Sequence, residues 1–247
     1  MDRRAELIKA FYRGLPMDRV KLETQRHGFP FLEQLLADGA ELDYGELTLS
    51  GTLHKYKLSQ VPAEQIDRLL QAHVAKDGNV CLYFGAETNS LFCFNLDNNH
   101  KENNTAVIPE MEFAVRALRE KLTAAGCEPL VIASGRGFHL WCRLDGPVAN
   151  ARLYQFMLTV AIRVAAELEA QGRDHRRVKF NFYPDPRTQN TVSLRLFGSD
   201  HAKNRVFSRI LGNDGLLLDE QASWAYFENY LREKTINVEN FELALKQ

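Results

Sequence analysis

The chain has 247 residues, is 45% hydrophobic and 26% charged, and carries a formal net charge of -1. That composition suits a folded globular protein with enough material for one large core or two small ones. It excludes a polycation that grips nucleic acid by bulk charge, so any such contact has to come from a local patch. No apolar run approaches the length of a membrane span, and the N-terminus (Met1-Asp-Arg-Arg) lacks a signal-like apolar core, so a cytoplasmic protein without a membrane partner is expected. Cys81, Cys93, Cys127 and Cys142 are scattered and read as small buried residues, with neither a zinc knuckle nor a disulfide framework indicated.

In chain order, residues 2–13 predict a short helix ended at Gly14, and residues 30–38 a second helical piece ended at Gly39. Even spacing of Leu47, Leu49, Leu53, Tyr56 and Leu58 predicts one or two strands over 42–58. A helix follows Pro62 and runs to about Lys76, with Ile66, Leu69, Leu70 and Val74 on one face. Residues 80–84 and 91–97 then read as a hairpin closed by the loop 85–90. In its second strand Asn95 and Asp97 are two apart and share a face, while Phe94 and Leu96 face the core. A carboxylate at the end of an apolar strand, before a polar run over 98–104, is a plausible metal position; an Asp that merely ends a strand in a polar turn is the plainer alternative.

A long helix is expected over 108–125 and is closed by Gly126. The run Pro129-Leu-Val-Ile-Ala133 reads as a strand, and 138–144 as its partner, with Phe138, Leu140, Cys142 and Leu144 on one face and His139 and Arg143 on the other. Between them lies Ser134-Gly-Arg-Gly-Phe-His139, whose two glycines permit a tight turn and close approach to a ligand. Ser134 and Arg136 suit phosphate oxygens, Arg136 through its planar fork; taken alone, an ordinary hairpin with a surface Arg and a satisfied His is the plainer explanation of the motif.

A second long helix is expected over 150–171. The cluster Arg173-Asp-His-Arg-Arg-Val-Lys179 reads as a solvated turn, or alternatively as a nucleic-acid contact. A strand over 178–182 is broken by Pro184 and Pro186, another runs over 192–197, and it enters the loop Gly198-Ser-Asp-His-Ala-Lys-Asn-Arg205, which can cradle phosphate. A last amphipathic helix covers 219–233. Strands near 91–97, 129–133, 138–144 and 192–197 are expected in one sheet, with Asp97, His139 and Arg195 opening onto a common cleft.

These pieces, in this order, resemble the archaeo-eukaryotic primase superfamily, the catalytic core of primase small subunits and primase-polymerases. The likeness rests on Phe94-Asn-Leu-Asp97, on Ser134-Gly-Arg-Gly-Phe-His139, and on Asp185 followed by Leu194-Arg-Leu-Phe-Gly-Ser-Asp-His201, and it covers roughly residues 45–210. The resemblance implies an α+β fold, a primase-like (RRM-like) core with a mixed, mostly antiparallel sheet flanked by long helices. The primase-like core is expected over 45–215, and the helical patterns outside it predict an N-terminal helical segment over 1–44 and a C-terminal helical segment over 216–247 packed on the core.

By the same resemblance, Asp97 and Asp185, helped by Asn95, would hold Mg²⁺ or Mn²⁺. Ser134, Arg136 and His139 would hold a nucleoside triphosphate, His139 also standing among the catalytic residues. Arg195, Ser199, His201 and Lys203 would add phosphate or template contacts. The implied activity is metal-dependent nucleotidyl transfer to a 3′-hydroxyl on a single-stranded or primed nucleic-acid template, with a helicase or a second primase subunit as further partners. The chain departs from the family pattern at Asn95, where an acid is expected, and Asn181 competes with Asp185 for the third acidic position. Two other readings therefore stand beside the first: a primase-like module that kept nucleotide or strand binding and lost chemistry, as a replication or defence accessory, and a metal-dependent nuclease.

Overall fold

A computed structural model describes residues 2–25, 29, 31–47, 53–99, 107–188, 191–202, 204–233, 236–238 and 241. In chain order the elements are α1 (Arg3–Phe11), β1 (Val20–Thr24), α2 (Leu32–Ala37), β2 (Glu41–Leu47), β3 (His54–Ser59), α3 (Ala63–Val74), β4 (Asn79–Tyr83) and β5 (Thr88–Asn98). They continue with α4 (Pro109–Ala124), β6 (Leu130–Ala133), β7 (Gly137–Ala149), α5 (Asn150–Ala170), β8 (Val178–Tyr183), β9 (Ser193–Arg195), β10 (Arg209–Ile210) and α6 (Glu220–Glu233). The chain divides into two compact units, residues 1–85 with 190–208 and residues 86–189 with 209–247. These units cut the chain at other places than the division at 44/45 and 215/216 expected above. The fold is α+β, with one five-stranded antiparallel sheet in each unit. No described helix is long and apolar enough to cross a membrane.

The first unit's sheet has the order β2-β3-β1-β4-β9. Its centre, β1, escaped the sequence reading because it is only five residues long; Val20, Leu22 and Thr24 are buried and alternate with Lys21 and Glu23. The buried residues of α1 and α3 include Ile8, Phe11, Leu69 and Leu70. His73, at the end of α3, is fully enclosed. Its Nδ1 accepts from the Val80 backbone N–H at 3.1 Å and its Nε2 donates to the Phe197 carbonyl at 2.9 Å. Burial pushes this imidazole down to about 4.

The second unit's sheet has the order β10-β6-β7-β5-β8. One face carries Phe92, Phe94, Leu96, Val131, Phe138 and Leu140 and packs with the stripes of α4 (Met111, Val115, Leu118, Leu122) and α5 (Leu153, Phe156, Val160, Val164). Full burial of each such side chain is worth about 1.5–3 kcal/mol, which fixes both helices on this face. Gly126, at φ +75°, closes α4 as expected, with the Cys127 N–H returning to the Leu122 carbonyl. All four cysteines are free and buried; burial raises their thiols, those of Cys81 and Cys127 to about 12.

Two pairings differ from expectation. β4 and β5 do not form a hairpin: β4 is hydrogen-bonded on both edges, by β1 and β9, and β5 on both edges by β7 and β8. Both strands are almost wholly buried, as central strands are, and neither has an edge left for the other. β9, with Arg195, likewise lies in the first unit's sheet beside β4, whereas β5, β6 and β7 share the second sheet as expected.

Candidate functional site

The hairpin β6–β7 and strand β8 build the site around β5. The antiparallel register sets Asn95 opposite His139 of β7 and opposite Asn181 of β8. One step along, Asp97 stands opposite Gly137 and Lys179. Residues opposite one another in a sheet share a face, and Asn95 and Asp97 are two apart, so all of these lie on the face turned away from Phe94 and Leu96. Asn95 and His139 are buried, at 9% and 7% exposure, and the exposed Lys179 stands at the edge of the group.

Within the row the hydrogen bonds converge on one carboxylate oxygen. Asp97 Oδ2 accepts from Asn95 Nδ2 at 3.1 Å and from Asn181 Nδ2 at 3.2 Å. Asn95 Oδ1 is buried and accepts no hydrogen bond from the described residues. The turn from β6 to β7 sits at the Asp97 end of the row. Ser134 N donates to the Gly137 carbonyl at 2.8 Å, and Gly135 takes φ +89°, which a side chain would resist. At Gly137 a Cβ would come within 1.9 Å of the Leu96 carbonyl oxygen, so β7 can pair with β5 here only without a side chain. Ser134 is buried, Arg136 is half-buried, and the Arg136 Nε is enclosed with no hydrogen-bond partner.

Asn95, Asp97 and His139 are thus brought together, with Ser134 and Arg136 in the adjoining turn. Asp185 is not. From Lys179, which faces Asp97, to Tyr183 the strand β8 runs about 13 Å away from Asp97. Beyond it Asp185 caps a 3₁₀ turn, its Oδ1 accepting from Arg187 N and Nε at 2.9 Å and its Oδ2 from Arg187 Nη2 at 2.7 Å. The Arg187 guanidinium holds this carboxyl below the usual carboxylate range. The position that reaches Asp97 is Asn181. Alternation along 178–182 puts Asn181 and Lys179 on one face, and that was the signal available in the sequence.

Arg195, Ser199 and His201 belong to the first unit. Arg195 is buried opposite Cys81, its Nη1 donates to the Ser199 carbonyl at 3.4 Å, and burial lowers its pKa. The same Ser199 carbonyl accepts from Ser208. His201 and Ser199 line a cleft of about 90 Å³ with Glu23, Gln25, Asn79 and Arg205. Lys203 lies outside the described residues, as do 100–104 of the polar run after Asp97. In the basic cluster Arg176 pairs with Asp174, Arg177 with Glu110 and His175 with Glu169, the behaviour of a solvated turn.

Of the residues that the resemblance implies for Mg²⁺ or Mn²⁺, Asn95 and Asp97 stand together and Asp185 stands apart. Among the described residues no group of three His, Cys, Asp or Glu side chains is placed to hold a metal ion. Asn95 and Asn181 each donate an amide N–H to the Asp97 carboxylate, and the residue opposite Asp97 on β8 is the cation Lys179.

No family model and no curated protein matches the chain. Among solved structures it is similar to the polymerase domain of Mycobacterium tuberculosis Ligase D, determined in complex with DNA, with a TM-score of 0.53 and 17% identity over 98% of this chain and 83% of that one. The fold is similar to that of a polymerase domain. Primase RepB′ is more distant, with a TM-score of 0.37 and 13% identity over 94% of this chain and 64% of that one. At these identities the likeness concerns fold, and the α+β architecture expected from the primase resemblance agrees with it.

Proposed function

We propose that the chain is a primase-polymerase-type module that recognises a nucleoside triphosphate or a single nucleic-acid strand on the Asp97 face of the second unit's sheet, without metal-dependent joining of nucleotides. The observation that carries this reading is the juxtaposition of Asp97, Asn95 and His139 beside the Ser134–Gly137 turn, with Asp97 the one carboxylate that the described residues bring to the group. Ser134, Arg136 and His139 supply hydrogen-bond donors for phosphate oxygens, and the enclosed Arg136 Nε still has a donor to give. The test is equilibrium binding of a nucleoside triphosphate and of a labelled single strand. Arg136→Ala and His139→Ala should each weaken binding while the fold stays intact; normal binding by both variants would reject the reading.

Nucleotidyl transfer is the second reading, supported by the likeness to a polymerase domain whose structure contains DNA. Template-dependent incorporation of labelled nucleotide, lost in Asp97→Asn, would favour it over recognition alone. Shortening of the strand in the same reaction would point to a nuclease instead.

A further inference from the structure

We infer that Asn95, Asp97 and Asn181 form a metal-independent hydrogen-bonding site for an uncharged donor group of the ligand, a hydroxyl or an amino group. This rests on the proposed recognition of a nucleotide or strand and specifies what that site asks of it. Two amide N–H groups already occupy one oxygen of the Asp97 carboxylate, at 3.1 and 3.2 Å. A divalent cation at Asp97 would meet one full negative charge, two amide N–H groups aimed at that same oxygen, and Lys179 opposite. Hard cations of this kind are held by oxygen ligands, Mg²⁺ by one or two carboxylates together with waters and substrate phosphates, and here a single carboxylate is already engaged by two amide donors.

The orientation of the Asn95 amide follows from the network: reversing it would turn Oδ1 against the carboxylate oxygen of Asp97. With Nδ2 committed, Oδ1 is an acceptor that is nine-tenths buried and unpartnered. Buried polar groups are rarely left so. Asp97 Oδ1 is the second acceptor, since both hydrogen bonds that the described residues make to this carboxylate go to Oδ2. Two unused acceptors on neighbouring side chains of one sheet face, with phosphate-seeking donors in the adjacent turn, match a nucleotide that brings its phosphates to Arg136 and a hydroxyl or amino hydrogen to Asn95 and Asp97. A sugar hydroxyl and an exocyclic base amino group share this chemistry.

The experiment uses the full chain and two readouts. Manganese electron paramagnetic resonance measures metal binding without nucleotide. Wild type should show no Mn²⁺ site that Asp97→Asn removes, and Asn95→Asp, alone or with Asn181→Asp, should create one; a wild-type site lost in Asp97→Asn overturns the inference. Calorimetry then compares adenosine triphosphate, its 2′,3′-dideoxy analogue and inosine triphosphate, which lacks the amino group. Adenosine triphosphate should bind within about threefold the same in excess chelator as in Mg²⁺. One analogue should bind at least about tenfold more weakly to wild type, and the penalty should vanish in Asn95→Ala. A dideoxy penalty identifies the sugar as the donor, an inosine penalty the base. Binding that needs metal, or equal binding of all three nucleotides, overturns the inference alone, whereas no binding under any condition overturns the proposed function as well.

Discussion

The second unit's polar row and the first unit's His73 and Arg195 use similar residue types to opposite ends. Around His73 and Arg195 the polar atoms are spent inside the fold: both nitrogens of His73 are bonded to backbone, and Arg195 joins Ser208 on the Ser199 carbonyl. Around Asp97 the register gathers polar side chains but leaves the Asn95 Oδ1 and the Arg136 Nε unused, both enclosed. A buried polar group whose valences are filled holds structure together; one with a valence left over costs stability unless a ligand takes it. The contrast separates residues that a motif comparison treats alike.

The largest effect tests whether the site turn is also structural. Gly137→Ala drives a Cβ onto the Leu96 carbonyl, so chemical unfolding should show a loss of more than about 3 kcal/mol. A small loss would mean that the β5–β7 pairing tolerates displacement at Asp97. Next comes His73. Its imidazole is held near 4 in the fold against an ordinary 6.5, so below 6.5 the unfolded chain binds the extra proton first. Stability therefore falls as pH drops from 6.5 to about 4, by up to about 3 kcal/mol. His73→Gln, which can still donate and accept, should remove that part of the pH dependence; urea unfolding at both ends of the window would show it.

The pair Arg195 and Arg136 sharpens the comparison most. Arg195→Ala should cost about 2 kcal/mol of stability through lost packing and hydrogen bonding. Arg136→Ala should move stability by no more than about 0.5 kcal/mol while costing roughly 1.5–3 kcal/mol of triphosphate binding. Thermal melts and binding isotherms on the same preparations would expose any exchange of these roles. Asp185→Asn should have the smallest effect. It removes a pair whose Arg187 side chain is 68% exposed, retains a capping residue, and should change stability by less than about 1 kcal/mol with ligand binding unchanged. Impaired binding in Asp185→Asn would return it to the site.

What could be read from the chain follows the range of each signal. The stripes of α4 and α5 and the closing Gly126 are local and strong, and the observed bounds lie within a residue or two of the expected ones. The β6–β7 hairpin was equally legible, because Gly135 and Gly137 sit where the turn needs them. Alternation identified β5 and β9 as strands and a continuous apolar run identified β4, but a strand's pattern says which face is buried and nothing about which strand pairs with its edge. That is why β4 and β5 read as a hairpin. The same limit acts on the site. Spacing along the chain favoured Asp185, ten residues before Arg195, whereas the register across β5 and β8 selects Asn181. Once Asn95 and Asn181, opposite one another, both donate to Asp97, two departures from an acidic pattern become one hydrogen-bonded arrangement.

A crystal structure of the chain soaked with a nucleoside triphosphate and MnCl₂ tests the central claim most directly, because it reports ligand and metal together. The account predicts triphosphate density against Arg136 and His139, a donor group of the nucleotide on Asn95 Oδ1, and no anomalous manganese peak within coordination distance of either Asp97 oxygen. A manganese ion bound directly to Asp97, with the Asn95 and Asn181 amides turned to present their oxygens to it, would contradict it.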